Sequence, residues 1–490
     1  GHLTRLVDPE PCMPTDPLGL RSEAPLLDAW LRFHEEAPTS FTIPGHKHRL
    51  DLVGDVVAGD VPLYAGLDTM KLTTGVLADA EARAAALWGA DFCRFSVGGS
   101  THGNQALALA FGRPGDRVVV GRTLHRSLLL GLVLAGLEPV WLAPEVDPST
   151  GMPSGTSAAA LTEALERAPE ASAVFIGSPT YVGTLTDVAA LAEVAHGWGA
   201  GGIPLVVDQA WGAHLGFHPA LPPHVLAAGA DAMVTSAHKT LPAWSQAALV
   251  LARTERVDPA RLEAAVEATT TTSPTGAILA SIDASRALLQ LHGERLLGDL
   301  LETVEHARRR LREVEGLVLL EGEGVDPTKL VLLLAGTGAD GIAVEGDLLA
   351  RGLPVELADR DTIVPMVTLA DTPATVGRLV DALVDSFARR RGPARPPAAS
   401  GVWSLRPVAG MSPRRAFFAP HAVTDLRQAV GEVSAELIAP YPPGIPVIAP
   451  GELVTDEVVQ TLLAARAAGT RIAYAADPSL ATIRVVASGP

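Results

Sequence analysis

At 490 residues the chain is too long for one compact core and calls for two to four domains or subdomains. A formal net charge of −17, with no block of five Lys/Arg residues, argues against a nucleic-acid or anionic-membrane partner. Only two cysteines, Cys12 and Cys93, rule out a disulfide scaffold and lead us to expect a reducing cytoplasm, and neither a signal peptide nor a bilayer-spanning apolar run is read along the chain.

Residues 1–40 read as an N-terminal arm. From there the texture is β/α alternation. Apolar spacing predicts a helix over 72–90, then a strand over 91–97 ("DFCRFSV") and a second helix from "THGNQALALAFG". Short apolar runs bounded by Gly, Pro or Asp follow at 116–121, 138–144, 172–178, 203–210 and 231–237, most of them separated by helical segments. Such a pattern predicts a mostly parallel sheet covered on both faces, within a large domain over 41–268. After "TTTTSP" a long helix runs toward residue 314, and strand-like runs at 316–322, 328–336 and 362–370 complete a smaller α+β unit over 269–388. The Pro/Arg/Ala/Gly-rich 389–401 reads as a linker, leaving 402–490 as a small C-terminal domain.

In parallel sheets ligands gather at the carboxyl ends of the strands, and the chemically interesting residues of this chain follow strands. Asp208 ends the run "IPLVVDQA", where an unpaired carboxylate is costly and should face a cation. Lys239 follows "VTSAH". The stretch "GGSTHGN" joins a strand to a helix through small residues and hydroxyls; it suits an anion held at a helix N-terminus, although taken alone it reads first as an ordinary glycine turn with a Ser/Thr cap. His125 stands just beyond the next strand, and "SPTYVG", with Thr180, ends another. An amine, a carboxylate, an imidazole and a phosphate cradle together are what pyridoxal 5′-phosphate requires of a protein, and the set calls for no metal ion.

Five groups of residues extend the match: "FTIPGHKHR", these strand-end motifs, "ATTTTSPTGAILASIDASR", "DPTKL" and "VSAELIAPYPPGIPVIAPGE". In this order, from Phe41 to the C-terminus, they resemble the Orn/Lys/Arg decarboxylase family, in its shorter bacterial form without an N-terminal receiver-like domain. The resemblance implies a fold-type I enzyme that decarboxylates a basic amino acid (lysine or arginine before ornithine) as a homodimer or larger homo-oligomer. It implies that Lys239 is the Schiff-base lysine, Asp208 the partner of the pyridine nitrogen, Ala210 the contact on one ring face and His125 the stacking group on the other. Ser100, Thr101, His102, Ser236 and His238 would line the phosphate site, with Thr180 and Trp211 beside the cofactor. Thr271 or Thr272 would reach the phosphate of a neighbouring subunit. Three positions depart from the family pattern: Arg415 in "SPRRAFF", where relatives carry an acid; Thr275-Gly276, where a tyrosine is common; and Gln209, where a Glu is common. Because fold does not fix reaction, an aminotransferase or oxidative deaminase of a basic amino acid remains an alternative, as does a non-catalytic scaffold or regulator.

Overall fold

The computed structural model describes residues 13–63, 66–68, 75–396, 405–441 and 445–487. The first twelve residues of the arm, the linker from 397 to 401 and residues 442–444 of "PYPPGIP" lie outside these.

The strand-like runs fold into one seven-stranded sheet: β1 (Phe92–Ser96), β2 (Arg117–Gly121), β3 (Glu138–Leu142), β4 (Val174–Gly177), β5 (Leu205–Asp208), β6 (Ala232–Ser236) and β7 (Ala248–Ala252). Their spatial order is β1-β7-β6-β5-β4-β2-β3. Neighbours pair in parallel except at β7, which runs antiparallel to both β1 and β6. Strand β7 was not expected from the sequence. Side chains alternate between two apolar layers, as a doubly covered sheet requires: Val118, Val120, Phe175, Val206 and Val234 enter one, and Val119, Val174, Ile176, Val207 and Met233 the other. Helices Gly99–Ala110, Arg126–Ala135 and Pro259–Thr269 cover the first face. Gly103 shows how closely: a Cβ there would stand 2.3 Å from Val234 Cγ2, so the helix after β1 lies directly on β6.

The expected long helix is Gly276–Leu311, beginning just after "TTTTSP" with Thr275 as its cap. Beyond it the strands Val318–Leu319, Leu332–Leu333, Thr362–Val364 and Leu357–Ala358 form a four-stranded antiparallel sheet, with helices Gly341–Leu349 and Pro373–Arg390. Residues from Leu405 to Val485 build a core of their own around Leu426, Ile438, Ile448 and Leu462. A buried bidentate ion pair ties this part to the large sheet: Arg122, after β2, donates to Glu452 at 2.6 and 3.0 Å while lying over the Trp141 ring. Glu452 belongs to the "PGE" of the C-terminal motif, and its other bond, from Ala449 N at 2.8 Å, fixes the turn. A charge pair so deeply desolvated holds only when its remaining lone pairs are satisfied, and here they are. Among the described residues no helix is long and apolar enough to cross a membrane.

Candidate active site

The parallel strands end on one edge of the sheet, and a cavity of about 530 Å³ lies along it. Of the residues singled out from sequence, Ser100, Thr101, His125, Thr180, Asp208, Ala210, Trp211, Ser236, His238 and Lys239 all line it.

Asp208 is the last residue of β5, and both its oxygens are held. Oδ2 accepts from Asn104 Nδ2 at 2.8 Å, and Oδ1 accepts from Ala210 N at 3.0 Å. The same Asn104 amide donates to Ser127 Oγ at 2.9 Å. Ser127 bonds in turn to His125 Nδ1, at 2.8 Å from its hydroxyl and 3.2 Å from its backbone N–H. With Nδ1 accepting, a neutral His125 carries its proton on Nε2. The ring keeps access to the open cavity while protein surrounds it. Desolvation is the main cause that pushes its pKa below the usual imidazole value, with Lys239 and Arg126 adding to the shift and Asp208 opposing it. His125 is thus neutral at pH 7, and Asn104 fixes both the carboxylate and the imidazole through one amide.

Lys239 follows β6 in the short helix Ala237–Thr240. Its Nζ lies 4.0 Å from the centroid of the Trp211 ring. Burial lowers its pKa, against the opposing fields of Asp208 and Glu356, which makes more of the amine available as a nucleophile than on a free lysine.

The cradle after β1 has the features of an anion site. Helix Gly99–Ala110 starts at Gly98 with no side-chain cap on its first N–H groups, and Gly98, Gly99, Ser100 and Thr101 face the cavity. A helix N-terminus carries a partial positive charge, and of its first N–H groups Gly99 N is already taken, donating to Gln246 O at 2.8 Å. Ser100 Oγ and Ser236 Oγ meet at 2.6 Å on its rim, and His238 stands beside them with Nδ1 donating to Ala247 O at 2.9 Å. The donors of this cradle suit a phosphate, and His125 and Ala210 line the same cavity.

His102 corrects the sequence expectation. Its side chain leaves the cradle: Nδ1 bonds to Ser96 Oγ at 2.7 Å and Nε2 donates to Val266 O at 3.2 Å, in the core under the helix. Its place is structural because residue 102 turns toward the sheet, one position on from Thr101. Thr271 and Thr272 are exposed, in the turn before the long helix, and do not line this cavity. Two departures have structural causes. Gln209 is fully buried, its amide donating to Gly212 O and accepting from Val225 N at 2.8 Å each, which an acid could not do as both donor and acceptor. Gly276 packs where a Cβ would stand 2.6 Å from Val61 O. Arg415 is exposed on the helix Pro413–Phe418, away from the cavity.

Residues not singled out complete the site. Asn104 and Ser127 were invisible because their partners are set by the fold; the quoted "GGSTHGN" ends on Asn104 without signalling its role. Lys329, in "DPTKL", is buried with its Nζ 4.3 Å from the Trp211 centroid, a Met366 sulfur contact at 3.6 Å and a pKa lowered to about 8, chiefly by desolvation. Glu356 and Tyr474 reach the cavity from the small unit and the C-terminal part.

A sheet of this order, with a strand-end lysine and carboxylate meeting over a helix-terminal anion cradle, is the fold-type I architecture of pyridoxal-phosphate-dependent enzymes. The Orn/Lys/Arg decarboxylase major domain matches residues 24–335 and the C-terminal domain of the same family matches 405–472; the chain belongs to that family. It is 31% identical to an arginine decarboxylase of Halalkalibacterium halodurans over 95% of this chain and 98% of that protein, and 30% identical to an arginine decarboxylase of Bacillus subtilis over the same shares. Among solved structures, the Francisella novicida lysine decarboxylase superposes with a TM-score of 0.81 at 19% identity, covering 95% of this chain and 82% of that one.

Proposed function

We propose that this chain is a cytoplasmic, pyridoxal 5′-phosphate-dependent decarboxylase of a basic L-amino acid, arginine or lysine ahead of ornithine, releasing the corresponding amine and CO2. The observation that carries the reading is the convergence of Lys239, Asp208 and His125 on one cavity, with Asp208 and His125 joined by the Asn104–Ser127 network, in a member of this family. Its curated relatives named arginine decarboxylase span nearly the whole chain.

In this reading Ser100, Thr101, Ser236, His238 and the first N–H groups of helix Gly99–Ala110 hold the phosphate. Thr180, Ala210, Trp211 and His125 enclose the ring. When bound, the cofactor supplies an electron sink for the bond to the leaving carboxylate. The protein's part is electrostatic and positional. Asp208, restrained by Asn104 and Ala210 N, holds a proton at the pyridine nitrogen, and it does so without reorganising, which is what makes a fixed carboxylate effective. Lys239 provides the attaching amine. After CO2 leaves, a proton must return to Cα, and either Lys239 or the Nε2–H of His125 stands in the cavity to deliver it.

We read the active form as a homodimer or larger homo-oligomer. Phe41, Ile43, Leu52, Val53 and Val56 leave large apolar side chains exposed on the N-terminal segment, which supports burial against a second copy. In that assembly Thr271 or Thr272 would reach a neighbour's phosphate. We also read the chain as a large domain over 41–268, a small one over 269–388 and a C-terminal one over 402–490. The test of function is incubation with L-arginine, L-lysine and L-ornithine and mass-spectrometric product analysis. CO2 with the matching amine supports the proposal. A keto acid with ammonia or hydrogen peroxide and no CO2 overturns it in favour of transamination or oxidation.

A further inference from the structure

We propose that Lys329 is a positioning residue for Lys239: sharing one indole with it, its ammonium keeps the attaching amine neutral and in place. The inference rests on the reading of Lys239 as the cofactor-bearing lysine and extends it to a residue that does not itself line the cavity. Lys239 Nζ lies 4.0 Å and Lys329 Nζ 4.3 Å from the centroid of the Trp211 ring, so the two amines stand within about 8 Å of each other, about one screening length even in water. Tyr181 meets the indole edge-on at 5.1 Å, with Lys329 Nζ 5.9 Å from its own ring. Every other part of Lys329 is fixed. Its N–H donates to Asp326 O at 3.0 Å, its carbonyl accepts from Arg308 Nη2 at 2.6 Å, and its stem fills the space over Gly183, where a Cβ would stand 2.5 Å from Lys329 Cγ. The nearby carboxylate of Asp326 is committed elsewhere: one oxygen accepts from Thr328 N and Oγ1 at 2.9 and 2.8 Å, and the other meets His214 Nε2 at 2.8 Å. Among the described residues the Lys329 amine keeps only the Met366 sulfur and the two rings. A buried amine without a hydrogen-bonding carboxylate costs stability that a methionine would not, and such costs gather where chemistry needs a shifted group.

The chemistry in need is that of Lys239. To bear the cofactor, and to reclaim it as product leaves, its amine must be free of a proton. Desolvation favours that form, while Asp208 and Glu356 oppose it. The imidazoles of His125 and His238 also face it, but burial holds both below their ordinary pKa, and they bring no charge at pH 7. Lys329 supplies the positive charge that offsets the two carboxylates. The coupling runs both ways: Lys239 lowers the pKa of Lys329, which Asp326 and Glu356 raise. At about 8, that pKa leaves Lys329 mostly charged at pH 7, where the effect is exerted. Two cations at this separation in a partly buried site displace one another's titration by about one pH unit, tenfold in the neutral fraction.

The experiment titrates Lys239 in the full chain stripped of cofactor, by pulse labelling with acetic anhydride across the neutral to alkaline range and mass spectrometry of the Lys239 peptide. It compares the wild type with Lys329→Met, Lys329→Gln and Lys329→Arg. The two neutral variants are expected to label with a midpoint about one pH unit above wild type, a tenfold smaller reactive fraction at pH 7, and Lys329→Arg to return to the wild-type midpoint or below it. In the cofactor-loaded enzymes the acid limb of the kcat profile should move the same way. Midpoints in the neutral variants equal to or below wild type overturn the inference, as does an upward shift that a folded Lys329→Arg leaves uncorrected. Should arginine not fit beside Gly183, the neutral pair decides: a common upward shift supports the inference, and a shift in only one of them overturns it. Labelling needs no turnover, so a chain that titrates as expected and releases no amine from any basic amino acid refutes the decarboxylase reading and leaves this inference standing. A borohydride label on a lysine other than Lys239 overturns both.

Discussion

The two walls of the cavity are built on different physical terms. On the sheet side, most of the groups are held by hydrogen bonds: Asp208 by two donors, His125 by Ser127, Asn104 by bonding both Asp208 and Ser127, and Ser100 by Ser236. Those groups stand at the ends of strands whose register is set by two apolar layers, so a shift of any one would cost burial as well as hydrogen bonds. On the facing side, Glu356 and Tyr474 line the cavity, Tyr474 with Arg126 over its ring, while Lys329 is buried against Trp211 without lining the cavity itself. A site with one rigid wall and one weakly paired wall separates two tasks: the first presents a cofactor in a fixed frame, while the second is free to meet a variable side chain.

The strongest way to break the rigid wall is to remove its chemistry. Lys239→Ala should abolish turnover, and borohydride reduction of the wild type should fix the cofactor on the Lys239 peptide; label on another lysine would refute the assignment. Asp208→Asn keeps the shape but not the charge. It should cost several kcal/mol of transition-state stabilisation, each ~1.4 kcal/mol being tenfold in rate. Activity within threefold of wild type would show that Asp208 does not hold the ring proton.

The lysine buried against Trp211 responds in stability instead. Lys329 is held below its ordinary lysine pKa, at about 8, because burial disfavours its charged form. The unfolded chain therefore binds more protons than the native one between pH 8 and about 10.5, and stability should rise with pH across that window. Lys329→Met keeps the stem beside Met366 and the Trp211 ring and removes the charge. It should gain on the order of 3 kcal/mol at pH 7, from the depressed pKa, and should flatten the alkaline rise. Denaturant melts at pH 7 and pH 10 check both, and a less stable variant with the rise intact would show that the amine is well paired.

Between these lies the connecting network. Asn104→Ala leaves Asp208 with one donor and Ser127 without its amide partner. A cost of about 1–3 kcal/mol is expected for each buried polar group left unpaired, read as a tenfold or greater fall in kcat with the cofactor still bound. A normal rate in Asn104→Leu, which keeps the volume and cannot donate, would argue against the network.

The rigid wall was largely legible in the sequence and the facing wall was not, for reasons of length scale. Asp208 ends a continuous apolar run and Lys239 follows the next strand-like run by a few residues, and it is the two together with the cradle that make the lysine legible. Strand β7, "ALVLA", escaped because alanine favours strands weakly and the run sits among small residues; its place between β1 and β6 comes from tertiary pairing. The helix Pro259–Thr269, capped by Asp258, went unread for a similar reason, its apolar face being only Leu262, Ala265 and Val266. Asn104 acts on residues 104 and 23 positions away, which no local pattern reports. Glu356 precedes a two-residue strand in a sheet of very short strands, where periodicity has no length in which to appear. His102 misled because one helical position separates a residue facing the cradle from one facing the core.

The smallest effect should come from the residue that departs most visibly from the family pattern. Arg415 replaces an acid, and a cation there would repel a basic substrate if it faced the cavity. It lies on the exposed side of the helix Pro413–Phe418, its backbone N–H donating to the Ser412 cap at 3.3 Å and its guanidinium engaging no described residue. Neighbouring Arg414 takes the docking contacts instead, donating to Val133 O and Leu134 O at 3.3 and 2.6 Å. Charges in solvent are screened within about 10 Å at ordinary ionic strength, so Arg415→Glu should change KM for arginine or lysine by less than about twofold and leave stability within about 0.5 kcal/mol. An improvement in KM of tenfold, lost at high salt, would show that the assembled enzyme brings this position to a substrate path that a single chain does not contain.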